Sequence, residues 1–399
     1  MSNSWKTAII GTLIHLFLGT VYAWSFFQVP IMENTNWNNT ETTMAFSLTI
    51  LTLGITASWA GRKLEVYGPQ KLTIIGGILF GLGYILASYA LGRVNLWLFY
   101  LCFGVIGGCG LGLAYVTPVA VVSRWFSKNQ GLATGMVVMG FGLGAFMMSK
   151  ILAPIFFELT EKNVALSFRY SGILFLVVIP LLGMFLKFPP QNEVVCEKKE
   201  VVETENSSRK TILIWTIFTL NIIVGMIFLS FQSPLLQELI QKERQVDKEY
   251  LVQAGATLIA VSAFFNGIGR LLWASLSDKM GRINTFRMLI GLEIVCFILL
   301  IFTQNVILFS VLVCLVLLCY GGGFGILPSL VKDEFGKANM SKMYGKMLTG
   351  WGIGGLIGTL TTAFLKDAFN EDAGIYVFST GLVVSVVAFL LCFLIKVKK

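Results

Sequence analysis

Twelve apolar runs, each about 20 residues or longer, dominate this chain of 399 residues. In chain order they fall at about 7–32, 43–61, 72–91, 96–123, 131–156, 165–187, 211–238, 251–277, 285–303, 305–331, 343–365 and 373–395. Because a helix that crosses the hydrocarbon core of a bilayer needs about 20 apolar residues, each run predicts one membrane-spanning helix. Hydrophobic residues make up 56% of the sequence and charged residues 13%, which excludes an ordinary soluble enzyme and a disordered protein. The predicted fold is all-α, with the lipid bilayer as its surroundings.

A polar stretch at 189–210 separates the first six predicted spans from the last six. It carries charges of both signs and shows neither helical nor strand periodicity. We therefore expect a six-helix bundle at 1–188, a cytoplasmic central loop at 189–210 and a second six-helix bundle at 211–399. The first apolar run begins near Lys6 and is too long for the apolar core of a signal peptide, so it is interpreted as a retained first span.

The placement of Lys and Arg predicts the orientation of the chain. With both termini cytoplasmic, 21 of the 30 Lys and Arg residues lie on the cytoplasmic side and 7 on the other, while Lys150 and Arg270 lie inside spans. This distribution follows the positive-inside rule. The net charge of +9 is thus attributed to topology, and no nucleic-acid partner is expected. The prediction is a monomeric, multi-pass protein of the cell (inner) membrane.

Short matches between the two halves indicate an internal duplication. Three pairs recur in order at offsets of 213, 210 and 204 residues: Glu65–Gly68 with Asp278–Gly281, Gly140–Gly144 with Gly350–Gly354, and Phe27–Pro30 with Phe231–Pro234. Each half has an even number of spans, so the two repeats have the same orientation in the membrane. Transporters built from parallel repeats of this kind bind their substrate near the midplane between the two halves.

The acidic-x-x-Gly turns after predicted spans 2 and 8 resemble the loop signature of the major facilitator superfamily. Glu65 stands where that signature has Asp, and Pro69 where it usually has a basic residue. Further stretches resemble the oxalate/formate antiporter and monocarboxylate porter group of that superfamily: Gly19–Ser25, Arg124–Phe126 with Gly131–Ala133, Asn266–Arg270 and Tyr344–Gly345. The resemblance implies the major facilitator fold and alternating access to a site between two six-helix bundles.

Arg270 is a permanent charge near the middle of predicted span 8. It lies about 12 Å along the helix from Asp278, which ends that span. A charge at this depth is costly and marks a functional site by default. One helical turn before it stands the neutral Asn266, and Glu293 in span 9 is the other carboxylate well inside a span. A substrate carboxylate is the favoured partner, while satisfaction by backbone carbonyls or by Glu293 stays open.

The resemblance assigns Arg270 the same role, because the Arg of the Asn-Gly-x-x-Arg pattern in this group binds the substrate carboxylate. The oxalate antiporter has a second cation, a Lys, in helix 11, and the corresponding residue here is Trp351. A single buried cation favours a monocarboxylate over a dicarboxylate. Animal monocarboxylate porters carry Asp where this chain has Asn266, so a coupled proton is expected elsewhere.

Two side chains are candidates for proton coupling. His15, the only histidine, lies near mid-depth in span 1, and imidazole exchanges protons near neutral pH. A neutral His15 hydrogen-bonded to a neighbouring helix fits equally well. Glu293 is interpreted as a helix-packing group, with proton transfer as the alternative. The cysteines and the histidine have no metal-ligand spacing, so neither a metal nor a cofactor is expected.

Aromatic side chains recur at similar depth on the spans that line such a site, and we predict that they form its walls. They are Tyr22, Tyr115, Phe141, Tyr320, Phe324 and Trp351. The resemblance also implies an inner gate at the two acidic-x-x-Gly turns, with Glu65 near Lys71 and Asp278 near Arg282. Glycines in spans 5 and 11 predict close packing between the bundles.

The predicted function is secondary active transport of small organic anions, above all monocarboxylates, by proton symport or anion exchange. A drug/proton antiporter, or a transporter of another cargo such as a sugar, is the alternative. The sequence has no Gly-Pro in span 5, no acidic residue in the core of the first bundle, and no sugar-porter loop motif. It also has no Ser/His/Asp set, P-loop or metal cluster, so no enzymatic activity is predicted.

Overall fold

The computed structural model describes residues 3–126, 130–190 and 205–395. Within these ranges twelve helices are long and apolar enough to cross a membrane, which confirms the predicted number. We number them α1 Asn3–Thr35, α2 Asn39–Tyr67, α3 Pro69–Gly92, α4 Leu96–Trp125, α5 Gly131–Leu159, α6 Val164–Gly183, α7 Arg209–Glu243, α8 Lys248–Met280, α9 Arg282–Phe302, α10 Val306–Gly336, α11 Asn339–Phe369 and α12 Ala373–Leu394. The chain is a multi-pass integral membrane protein. Most of the predicted central loop lies outside the described residues, and the helix that continues into α7 begins at Glu205.

An even number of spans places Asn3 and Leu394 on the same face of the molecule, here called the N/C face. The opposite, distal face holds the starts of α2, α4, α6, α8 and α10. Each of these five helices has an Asn or Asp as its N-cap, and the side chain of that residue accepts a hydrogen bond from the backbone N–H three residues later. The N-cap residues are Asn38, Asn95, Asn163, Asp247 and Asn305. These caps satisfy N–H groups that a helix leaves unpaired at its start.

On the N/C face, three helices end at a glycine with positive φ. The values are +77° at Gly68 after α2, +86° at Gly281 after α8 and +78° at Gly336 after α10. L-residues are strained in this region and glycine is not, so the chain can turn sharply into the next helix. Each glycine follows an acidic residue by three positions. The third copy, Asp333–Gly336, was not singled out in the sequence.

The first six helices, the N-half, meet the last six, the C-half, along two seams. In one, Gly54 of α2 faces Gly352 of α11, and a Cβ atom at Gly54 would stand 2.8 Å from the Gly352 Cα. In the other, Gly142 of α5 faces Gly267 of α8, again with 2.8 Å to the glycine Cα. Backbones approach this closely only where side chains are absent. The two seams enclose the centre of the molecule, where Arg270 has no exposed surface.

Candidate functional site

Arg270 projects from α8 into the interface between the two halves. Its Nε donates to Asn266 Oδ1 at 3.2 Å, and its Nη1 donates across the interface to the Val138 carbonyl of α5 at 3.1 Å. Both acceptors are neutral. The third nitrogen, Nη2, has no hydrogen-bond partner although it is buried. Among the described residues no carboxylate forms an ion pair with this guanidinium.

Two aromatic rings flank the Arg270 guanidinium from opposite halves. Its Cζ atom lies 4.6 Å from the ring centroid of Phe324 on α10 and 5.6 Å from that of Phe141 on α5. Aromatic faces attract a cation electrostatically, by roughly 1–2 kcal/mol when water is excluded. The rings therefore reduce the cost of burying the charge, but they do not neutralise it.

All six predicted aromatics meet in one cluster around Trp351, which has no exposed surface. The Trp351 ring lies 4.8 Å from Tyr115, 4.8 Å from Phe324, 5.4 Å from Phe141 and 6.1 Å from Tyr22, centroid to centroid. Tyr320 contacts Phe324 at 5.2 Å and Tyr22 at 6.0 Å. The rings come from α1, α4, α5, α10 and α11, so both halves contribute to one apolar wall beside Arg270.

Polar groups without partners are concentrated in this wall. Besides Arg270 Nη2, they are Asn266 Nδ2, Trp351 Nε1, the Tyr115 hydroxyl and the Tyr344 hydroxyl. Every one of these groups can donate a hydrogen bond, and three of them can only donate. Because buried polar groups are normally paired, the cluster is chemically matched to an acceptor-rich anion.

Tyr344 is the member of this cluster that the sequence reasoning missed as a site residue. It is fully buried on α11. It stands seven residues before Trp351, which places both on one face of the helix, two turns apart. That spacing was the available signal. In the sequence, Tyr344 stands out only as part of the Tyr344–Gly345 stretch.

His15 of α1 lies directly behind the Tyr115 ring. Its Nε2 is 2.9 Å from the Tyr115 carbonyl, and the two rings stack with centroids 4.6 Å apart. Since a carbonyl only accepts, Nε2 must carry the hydrogen. The other ring nitrogen, Nδ1, is buried without a partner. His15 is thus a hydrogen-bonded, stacked side chain in contact with the wall of the site.

Glu293 of α9 lies away from Arg270 and makes no ion pair with it. Its Oε1 accepts a hydrogen bond of 2.8 Å from Nδ2 of Asn221 on α7. The Glu293 side chain has no exposed surface. The open alternative in which Glu293 neutralises Arg270 therefore receives no support from the geometry.

The N/C face carries the residues expected to form an inner gate. Arg282 pairs with Asp278 at 2.5 Å and also with Asp333 at 3.0 Å, so it bridges two of the three acidic-x-x-Gly turns. The Asp278 carboxylate also reaches the N-half, since it lies 3.3 Å from where a Cβ of Gly131 would stand.

Glu65, which was expected to belong to the same gate, makes no such contact between the halves. Glu65 instead forms a two-pronged ion pair with Arg124, at the end of α4. A planar guanidinium matches both carboxylate oxygens at once, which the ammonium of Lys71 cannot do. Because Glu65 and Arg124 both belong to the N-half, this ion pair joins two helices of the same half and does not link the N-half to the C-half.

A contact that the sequence did not indicate joins the halves at the distal face. The Asp367 carboxylate, at the end of α11, accepts hydrogen bonds from Asn39 Nδ2 at 2.9 Å, the Thr40 backbone N–H at 2.9 Å and the Thr40 hydroxyl at 2.5 Å. These donors form the first turn of α2, where a negative charge is favourable. Asp367 thus joins the halves at the distal face, and Asp278 brings them into contact at the N/C face. The central cluster lies between these two contacts.

A cavity of about 590 Å³ opens at the distal face of the C-half, among α7, α9, α10 and the start of α12. Its polar lining includes Glu238, Thr303 and Asp372, and none of the cluster around Arg270. It lacks the convergent unpaired donors described above. The chemistry of the central cluster, and not the volume of this cavity, defines the candidate site.

A twelve-helix membrane protein with a closed, donor-lined centre between two six-helix groups has the architecture of a transporter. Residues 8–359 match the family model of the Major Facilitator Superfamily, and residues 219–399 give a further match. The chain belongs to this superfamily and is a transporter, not an enzyme.

Three comparisons place the chain among known proteins. It is 25% identical to the oxalate:formate antiporter of Oxalobacter formigenes, over 93% of this chain and 90% of that protein. It is 24% identical to apicoplast pyruvate carrier 1 of Toxoplasma gondii, over 84% and 78%. The crystal structure of the fucose:proton symporter FucP of E. coli superposes over 100% of both chains with a TM-score of 0.67 at 14% identity, which is a likeness of fold alone.

Proposed function

We propose that this protein carries small organic anions, above all monocarboxylates, across the cell membrane, and that Arg270 binds the carboxylate. One observation carries the proposal: Arg270 is fully buried, has neutral acceptors on two of its nitrogens and has none on the third. An uncompensated charge at this depth costs several kcal/mol. A substrate carboxylate would complete the guanidinium with charge-assisted hydrogen bonds.

The surroundings of Arg270 support a small anion with one carboxylate. The hydroxyls of Tyr115 and Tyr344 and the indole N–H of Trp351 supply further donors, while Phe141 and Phe324 are apolar walls. Among the described residues of the cluster, Arg270 is the only cation. A dicarboxylate would leave its second charge in an apolar wall, which is unfavourable. The relatives named for oxalate, formate and pyruvate all handle carboxylates.

Alternating access would follow from the contacts between the halves at the two faces. Opening one route requires Asp367 to leave the start of α2, and opening the other requires Asp278 to leave the start of α5. We infer that a single chain completes this cycle. We also infer that the N/C face is cytoplasmic, because most Lys and Arg residues flank the spans there.

The test is uptake of labelled formate, lactate, pyruvate and oxalate into proteoliposomes that contain the purified full chain, with and without a pH gradient. Replacement of Arg270 by Ala or Lys should lower monocarboxylate uptake at least about 100-fold, the equivalent of about 2.7 kcal/mol. Arg169→Ala, which removes an exposed arginine of α6, serves as the matched control and should transport normally. Near-normal uptake by both Arg270 variants would overturn the proposal.

A further inference from the structure

The side chains of Glu293 and Asn221 form a buried pair with one hydrogen bond made and two acceptors left over. Asn221 Nδ2 donates to Glu293 Oε1 at 2.8 Å. The other oxygen of each side chain, Glu293 Oε2 and Asn221 Oδ1, has no partner. Both residues have no exposed surface. Each side chain therefore keeps one buried oxygen that could accept a hydrogen bond, and neither oxygen has a donor.

A single proton would complete this pair. A protonated Glu293 carries an O–H group on Oε2, which can donate to Asn221 Oδ1 while Oε1 keeps the bond from Nδ2. The carboxylic acid and the carboxamide then hold each other through two hydrogen bonds in a closed ring. Since unpaired buried acceptors are costly, a proton shared in this way would stabilise the pair.

The groups that face Glu293 supply no positive charge to hold it as a carboxylate. The titratable neighbours are thiols: Cys296 on α9 itself, Cys319 on α10 and Cys392 on α12. The cation nearest in sequence on α9, Arg287, donates to Asn284 and to the Cys392 carbonyl. Among the described residues, Glu293 therefore forms no ion pair with Lys, Arg or His.

Asn221 connects this pair mechanically to the substrate site. Its Oδ1 lies against α10 at Gly323, so closely that a Cβ there would stand 2.1 Å from it. The next residue of α10 is Phe324, whose ring lies 4.6 Å from the Arg270 Cζ. Phe218, one turn before Asn221 on α7, packs on the same Phe324 ring at 5.3 Å. A movement of Asn221 is thus transmitted to the wall of the anion site.

We propose that the Glu293–Asn221 pair is the proton-binding site of this transporter, and that one proton on Glu293 accompanies each monocarboxylate on Arg270. The inference rests on the proposed function and adds the coupling of anion transport to the movement of a proton. Loss of the proton leaves a carboxylate whose Oε2 repels Asn221 Oδ1, so the pair separates and α7 shifts against α10. With the anion neutralised by Arg270 and the proton by Glu293, the loaded carrier moves no net charge.

The Glu293→Gln substitution tests this directly, because an amide at 293 can donate to Asn221 Oδ1 and accept from Asn221 Nδ2, as the protonated acid does. In proteoliposomes E293Q should keep exchange of internal for external formate within about threefold of the wild type. Accumulation of formate driven by a pH gradient should fall at least about tenfold. A pH-sensitive dye inside the vesicles should show that no protons enter with the anion. The matched control, Glu249→Gln at an exposed carboxylate, should retain both. His15→Gln, at the other candidate, should retain the number of protons taken up per anion, whatever its transport rate.

The outcomes separate the two proposals. A wild type that transports no carboxylate contradicts the proposed function. A wild type that transports carboxylates but ignores a pH gradient overturns the present inference, whatever the variants do, including the case in which E293Q does not fold. Accumulation by E293Q that equals the wild type overturns it as well, and loss of proton entry in H15Q alone would move the site to His15.

Discussion

The Tyr22 hydroxyl lies 2.5 Å from the Tyr320 hydroxyl, in a hydrogen bond that joins α1 of the N-half to α10 of the C-half. Neither residue has exposed surface. Tyr22 belongs to a 3₁₀ segment, Gly19–Ala23, that interrupts α1, and such irregular turns inside long helices often mark functional hinges. The bond therefore ties the two halves together at the level of the aromatic cluster, where rocking of one half against the other would break it.

Removal of either hydroxyl should weaken the closed conformation. In Tyr22→Phe or Tyr320→Phe, the remaining hydroxyl is left buried without its partner, at a cost of about 1–3 kcal/mol. We expect a lower thermal midpoint in detergent and slower uptake for each single variant. Both quantities can be measured on the same preparations.

The double variant Y22F/Y320F is the control that isolates this bond. Replacing both partners removes the unpaired hydroxyl, so the double variant should be more stable than the sum of the two single losses predicts. If the losses add, the short contact contributes nothing specific to the closed conformation.

The sequence predicted the twelve spans and the common level of Arg270 and the aromatic rings, because both predictions depend on depth in the membrane. Run length locates each helix, and counting from helix ends placed Arg270, Trp351 and the other rings at one level. Contacts between helices remote in sequence could not be counted in this way. Asp367 reaches the start of α2, Glu65 pairs with Arg124 within the N-half, and the Asn221 partner of Glu293 depends on the rotation of α7 against α9. These pairings follow from tertiary packing.

A second cation at position 351 should change the choice of substrate. Trp351→Lys would place an ammonium in the wall that contains Arg270, so that oxalate finds a partner for each of its carboxylates. We expect the ratio of oxalate to formate uptake to rise at least about tenfold, or about 1.4 kcal/mol. Total uptake should fall, because two buried cations repel in the empty carrier.

Trp351→Phe is the comparison for that substitution, since it also removes the indole but adds no charge. Its uptake ratio should stay close to that of the wild type. An equal rise of the ratio in W351K and W351F would show that space, and not charge, excludes oxalate, and the argument from a single cation would fail.

An added methyl group at Gly54 should disturb the seam between α2 and α11. The Cβ of Gly54→Ala would stand 2.7 Å from the Leu348 carbonyl oxygen and 2.8 Å from the Gly352 backbone nitrogen. Backbone atoms cannot rotate away, so the seam must open by a few tenths of an ångström, at about 1–3 kcal/mol. Uptake and thermal midpoint should both fall. Gly92→Ala, at the end of α3 where nothing lies within 4 Å of the added carbon, should leave both unchanged.

Neutralising Asp367 should favour opening at the distal face. Asp367→Asn keeps one acceptor for the first turn of α2 but loses the charge that strengthens the bonds to Asn39 and Thr40. Charge-assisted bonds are about twice as strong as neutral ones, so we expect a shift of about 1–2 kcal/mol toward the distal-open form. Spin labels at positions 161 and 304, on loops of opposite halves, would report this as a larger population of long distances. Asp372→Asn makes the same charge change at an exposed position of the neighbouring loop, and an equal shift there would mean that general electrostatics, not the contact with α2, holds the face closed.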